Sequence, residues 1–234
     1  MSAESLPFPG HALFVTRIGV CAIAWHAQAV VATQLPEATP GETRERMLLG
    51  LHKRHVLQPQ RGAALYAQVA VAQDLPAFVR QAIAAVQHML AGKKTQAEEN
   101  WTQLTAQQVN EAVLGDLRHS LPGSDSAALD CIEMDEFALP AFHSRVYAFT
   151  RSLREGQTST YGEVAAALGQ PGSARAVGQA LGANPFAPIV PCHRVLAAGR
   201  AAGGFSGGQG AITKLQMLEI EGAAWGGTLS LFAD

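Results

Sequence analysis

Between Pro140 and Ile220, glycine and proline divide the chain into short helical lengths joined by tight turns. No other feature narrows the possible folds as far. The first length spans residues 140–153, with Phe142, Val146, Phe149 and Leu153 expected to face inward. A shorter helix follows over 161–168 and is ended by Gly169. The third, over 173–183, opens on Ser173, a residue suited to an N-cap, and is crowded with Ala and Gly. The segment around residue 192 reads as a strand, the stretch 198–210 as a Gly-rich loop, and 212–220 as a last helix. Two helices about a turn, followed by a loop that can serve as a wing, make up the winged-helix plan.

The part before residue 137 has a different texture. Residues 12–20 and 21–35 mix β-branched and small apolar side chains and suggest a hairpin or meander, preceded by a loose arm through Gly10. Residues 43–55 have helical content. The clearest amphipathic helix covers 75–90, where Leu75, Phe78, Val79, Ala82, Ile83, Val86, Met89 and Leu90 recur at helical spacing, between Pro76 and Gly92. Residues 93–130 read as an irregular connection with one helix around 106–117. The expected class is therefore α+β, with a strand-rich domain over 1–136 and a mainly helical, winged-helix-like domain over 137–234.

The 234-residue chain is long enough to bury a core, and its net charge of −2 does not announce a nucleic-acid binder. The charge is unevenly placed, however. Residues 1–136 carry 10 Lys and Arg against 14 Asp and Glu, whereas residues 137–234 carry 7 against 5. Any phosphate contacts made by the second part should be few and helped by helix termini and backbone N–H groups. Three cysteines, Cys21, Cys131 and Cys192, form no paired framework. No signal-like segment and no run of 18 apolar residues is present, so a cytoplasmic location with no membrane partner is expected.

Pro191-Cys192-His193-Arg194-Val195, approached through Ile189 and Val190, sets a thiol beside an imidazole. A thiol becomes a strong nucleophile only as thiolate, and a neighbouring imidazole can draw off its proton directly or through one water. Most Cys-His pairs are a buried cysteine beside a surface histidine, so the pair alone does not decide the matter. Its surroundings do. Upstream stand Thr160-Tyr161-Gly162-Glu163-Val164-Ala165, Ala174-Arg175-Ala176-Val177-Gly178 and Gly182-Ala183-Asn184-Pro185. Downstream stand Gly204-Phe205-Ser206-Gly207-Gly208, Lys214 and Leu218-Glu219-Ile220-Glu221-Gly222.

This ordered series, over about residues 138–225, resembles the C-terminal domain of the O6-alkylguanine-DNA alkyltransferases, the methylated-DNA–protein-cysteine methyltransferases. The resemblance implies a repair protein that swings O6-alkylguanine, and O4-methylthymine as well, out of duplex DNA. The alkyl group would pass irreversibly to Cys192, once per molecule. It implies that His193 takes the thiol proton through a water, that Glu221 orients the imidazole, and that Asn184 braces the turn before the cysteine. Tyr161 and the backbone N–H near Ser206 would serve the departing guanine. Arg175 would fill the gap left in the base stack, the small-residue helix would enter the minor groove, and Arg194 is counted among the DNA-binding residues. The partner implied is alkylated double-stranded DNA, met by a monomer with no cofactor and no metal.

Two departures from the family pattern bear on lesion size. The second proline of Asn184-Pro185-Phe186-Ala187-Pro188 comes one place late, and the loop between Ser206 and Lys214 is about two residues longer than expected. Other readings weigh less. An alkyltransferase-like damage sensor would lack Cys192, and a Cys-His hydrolase would need an oxyanion hole that nothing else suggests. A transcription regulator of this kind would carry a four-cysteine metal domain. Cys21 and His26 are two candidate ligands, not four. His52, His55, His88 and His119 have no ligand spacing, Trp25, Trp101 and Trp225 read as core or interface, and the glycines of 203–208 read as a lid, not a phosphate loop.

Overall fold

The computed structural model describes residues 10–56, 75–91, 129–136 and 139–226. The expected N-terminal arm except Gly10, which opens the first strand, the connection up to residue 128 with its helix at 106–117, Gly92, Trp101 and His119 fall outside those residues, as does the His55 side chain. Three antiparallel strands open the fold: β1 (Gly10–Thr16), β2 (Gly19–His26) and β3 (Ala29–Gln34), in the order β1-β2-β3. The meander expected from the sequence is present with different breaks. Two-residue turns fall at Arg17-Ile18 and Ala27-Gln28, since Thr16 pairs with Gly19 and His26 with Ala29.

Alternation along β2 explains why the sheet is covered on both faces. Cys21, Ile23 and Trp25 point into the main core, whereas Ala22 and Ala24 point the other way, onto Met47 and Leu51. Those two residues belong to α1 (Pro40–Val56), which lies across one face of the sheet. The other face packs on α2 (Ala77–Ala91), through Val79, Ile83, Val86 and Leu90, and on the C-terminal helices. Trp25 and Cys21 are thus core residues; His26 is half-exposed, and His52 and His88 are exposed. Among the described residues no three His, Cys, Asp or Glu side chains gather as a metal cluster, and no helix is long and apolar enough to cross a membrane.

The outer edge of β3 is occupied. Val30 N–H donates to Glu133 O at 2.9 Å, Asp135 N–H donates to Val30 O at 2.8 Å, and Thr33 N–H donates to Pro185 O at 2.8 Å. The last of these ties the N-terminal sheet to the turn that precedes the cysteine.

The C-terminal part contains α3 (Ala141–Ser152), β4 (Ser159–Thr160), α4 (Tyr161–Ala167), α5 (Ala174–Gly182), β5 (Val195–Leu196) and α6 (Ala211–Ile220). In α3 the deepest positions are Val146, Tyr147 and Thr150, with Phe142, Phe149 and Leu153 packed at the margin. Tyr147 earns its interior place because its hydroxyl donates to Ala180 O at 2.8 Å, which satisfies the polar end of a buried ring. A capping box starts α4: Thr160 Oγ1 accepts from Glu163 N–H, and Glu163 Oε2 accepts from Thr160 N–H at 2.6 Å. Gly169, at φ 72°, ends it. Ser173 stands at the N-cap of α5, as expected, but its side chain makes no capping hydrogen bond.

Candidate functional site

The segment expected as a strand around the cysteine is instead a 3-10 turn over Cys192–Arg194, and only Val195 and Leu196 continue as β5. Pro191 sets the bend, Cys192 N–H donates to Val190 O at 2.7 Å, and Arg194 N–H donates to Pro191 O at 2.9 Å. β5 pairs in parallel with β4, so Thr160, the residue before Tyr161, is registered opposite Leu196. A two-residue ladder therefore ties the start of α4 to the cysteine turn.

Behind the thiol the turn presents His193, which is fully buried. Its Nε2 lies 2.8 Å from Glu221 Oε1. A carboxylate only accepts, so Nε2 carries the proton and the neutral ring keeps its lone pair on Nδ1. That Nδ1 is buried and makes no hydrogen bond to the described protein. Glu221 stands where α6 ends. Burial works to raise its carboxyl, but the contacts of His193 and Arg194 outweigh this and bring it down to about 2. Burial lowers the His193 imidazole against the opposing pull of Glu221, so the resting ring is neutral.

Arg194, expected among the DNA contacts, is turned inward and only 4% exposed. Its Nε donates to Glu221 Oε2 at 2.9 Å, its Nη2 donates to Glu221 Oε1 at 2.7 Å, and its Nη1 donates to Leu153 O at 2.6 Å. The guanidinium fork matches a buried carboxylate better than it could serve a phosphate from this position.

Asn184 bridges the turn before the cysteine. Its Nδ2 donates to Val190 O at 3.0 Å and its Oδ1 accepts from Phe186 N–H at 2.9 Å. Burial pushes the Cys192 thiol up; the Asn184 side chain, the Lys214 charge and nearby backbone N–H groups work against that push. Tyr161 flanks the site at the start of α4, with its hydroxyl donating to Gly204 O at 3.3 Å. Ser206 lies exposed on the following loop, and its Oγ donates to Gly182 O at 3.1 Å. Arg175 is exposed on the first turn of α5.

Lys214 is a functional candidate to which sequence reasoning gave no role. It is fully buried, and its Nζ donates to Val195 O at 2.7 Å. The same Nζ lies 5.7 Å from the centroid of the Tyr161 ring and 5.9 Å from that of Phe205. Burial brings its ammonium down to about 8. The signal was available: Lys214 falls three and four positions before Met217 and Leu218, on the apolar side of its helix.

A cleft of about 560 Å³ opens on Cys192. Leu181, Asn184 and Ala187 form one wall, and Phe205, Ser206 and Gly207 of the expected lid form another. The third comes from the N-terminal part, through Leu35 of the segment after β3 and Arg46 and Met47 of α1. The chemistry this allows is attack by a buried thiol on an electrophilic carbon, with an imidazole lone pair available and its charge balanced from behind.

The family model for the DNA-binding domain of 6-O-methylguanine DNA methyltransferase matches residues 141–223. A Mycobacterium tuberculosis protein named methylated-DNA–protein-cysteine methyltransferase is 39% identical over 123 residues, covering 47% of this chain and 73% of the relative. One of the same name from Salmonella typhimurium is 44% identical over 82 residues, 35% of this chain and 47% of that protein. The crystal structure of M. tuberculosis O6-methylguanine methyltransferase superposes with a TM-score of 0.54 at 25% identity, covering 97% of this chain and 100% of that one. A structure of M. tuberculosis OGT in complex with DNA shares the fold, with a TM-score of 0.55 at 23% identity over 91% of this chain and 92% of that one. With 39% identity to a relative covered over 73% of its length, and with the family model matching the residues that hold the cysteine turn, the chain belongs to the methylated-DNA–protein-cysteine methyltransferase family.

Proposed function

We propose that this protein repairs O6-alkylguanine in double-stranded DNA by moving the alkyl group to Cys192. The observation that carries this reading is a nearly buried thiol at the floor of a cleft, backed by a neutral imidazole whose other nitrogen is fixed on Glu221. Burial keeps the resting thiol protonated, so proton removal belongs to the reaction itself. The thiol proton passes to His193 Nδ1 through a water, and Glu221 offsets the charge the ring gains. Sulfur then bonds to the alkyl carbon as the carbon–O6 bond breaks, and the electron pair leaves with the guanine. The Tyr161 hydroxyl and the N–H near Ser206 donate to the guanine and neutralise its growing charge. The proton held on the His193 imidazole returns through solvent to the departing purine and the thioether stays, so the ring is neutral again and each molecule acts once.

Access to the alkylated oxygen requires the nucleotide to leave the stack, which costs a few kcal/mol and less for a mispaired base. Exposed Arg175, at the start of a helix rich in small residues, is the side chain suited to take its place from the minor groove. The reading treats the protein as a monomer built of an N-terminal unit, residues 1–136, and a C-terminal unit, residues 137–234. Whole-protein mass spectrometry after incubation with an oligonucleotide duplex bearing O6-methylguanine tests it. A single added methyl group, located on the Cys192 peptide and absent in Cys192→Ala, is the expected result. An unchanged mass, or repeated turnover with unmodified protein, overturns the proposal.

A further inference from the structure

The cleft that holds Cys192 has walls from distant parts of the chain, and two of them are fastened by residues of the N-terminal unit. Thr33 of β3 grips the turn before the cysteine twice: its N–H donates to Pro185 O and its Oγ1 donates to Ala187 O, both at 2.8 Å. On the opposite wall, Arg46 of α1 reaches a loop 160 residues away, where its Nη2 donates to Ser206 O at 2.6 Å. Its Nη1 pairs with Glu37 Oε1 at 3.1 Å. Glu37 is itself held, since Gln34 Nε2 donates to the same Oε1 at 3.0 Å and Glu37 N–H donates to Thr43 Oγ1 at 2.9 Å.

The loop rests directly on this anchor. A Cβ at Gly207 would come within 2.8 Å of Leu35 Cδ1, and one at Gly208 within 2.9 Å of Pro36 O, so glycine is what permits the approach. From the other side, Ser206 Oγ is tied to Gly182 O at the end of α5. Ser206 thus sits between the helix proposed to meet DNA and a guanidinium from the N-terminal unit.

We infer that Arg46 is a positioning residue that sets the width of the lesion cleft, and with it the preference between small and bulky O6-alkyl groups. The inference rests on the alkyltransferase reading of the site. Arg46 touches no reacting atom in this scheme. It acts by holding the Ser206 backbone, whose neighbouring N–H is proposed to serve the departing purine. The turn side of the cleft, fixed by two hydrogen bonds from β3, stays in place, and the loop side is the adjustable one.

The test uses full-length protein with Arg46→Met, which keeps the aliphatic stem, together with Arg46→Lys and Glu37→Gln. Hydrogen exchange of residues 203–210 and single-turnover reaction with duplexes bearing O6-methylguanine or O6-benzylguanine are measured in parallel. Losing a charge-assisted hydrogen bond to the loop should speed exchange there by about tenfold in Arg46→Met, with a smaller effect in Arg46→Lys. The benzyl-to-methyl rate ratio should rise severalfold, while exchange in α3 and the far-ultraviolet spectrum stay as in the unmodified sequence. Unchanged exchange in the loop, or faster exchange with an unchanged ratio, overturns the inference. A protein that loosens in the loop as expected, but whose parent transfers neither alkyl group, overturns the alkyltransferase reading and with it the specificity role.

Discussion

Arg194 shares a carboxylate with His193, and that sharing governs how the buried group responds to its surroundings. Glu221 is only 3% exposed and accepts from both residues. Removing its charge leaves a guanidinium buried without its counterion, a loss of about 3 kcal/mol or more. Glu221→Gln should therefore unfold at clearly lower urea concentration than the parent, as followed by tryptophan fluorescence. The same pair sets an acid limb. The Glu221 carboxyl is brought from an ordinary 4.5 to about 2, so its contribution is complete above the unfolded value and is lost as pH falls through that interval. Stability of the parent should fall steeply as pH drops from about 4.5 to 2, and Glu221→Gln should show a shallower slope there. Equal slopes would mean that the carboxylate adds nothing to acid stability.

Helix starts show the difference between a residue type and the bond it makes. Thr160 and Glu163 close a reciprocal capping box, whereas Ser173 occupies an N-cap without using its hydroxyl. Thr160→Ala should cost about 1 kcal/mol, while Ser173→Ala should cost much less, as read by thermal unfolding. A comparable loss for both would mean that the Thr160 side-chain hydrogen bond adds nothing to stability. The sequence carried the helices well because each has a start, a stop and a repeat written into neighbouring residues. It misread the cysteine segment because Ile189, Val190 and Val195 suit a buried strand equally well. The Pro191 bend wins instead, and a two-residue ladder leaves no periodicity to detect. Arg194 was misassigned for a related reason. Its partners, Glu221 and Leu153, are 27 and 41 residues away, and an arginine beside a DNA-linked motif reads as a DNA contact. Nothing local to α1 announces that Arg46 crosses to Ser206.

The two parts of the chain divide charge and labour unequally. With 7 basic against 5 acidic residues over 137–234, and with Arg194 and Lys214 turned inward, few cations are left for phosphate. Binding to undamaged duplex should be weak, and its logarithm should fall with the logarithm of salt at a slope of only about −3, measured by fluorescence anisotropy. A slope several times steeper would point to a basic surface beyond the helical part. The N-terminal sheet contributes in another way. Thr33 donates to Pro185 and Ala187, so one wall of the cleft also shields the outer edge of β3. A variant that made room for larger adducts by shifting that turn would bare backbone amides able to recruit a strand from a neighbouring molecule. Solubility, rather than reactivity, then sets how far this wall can retreat.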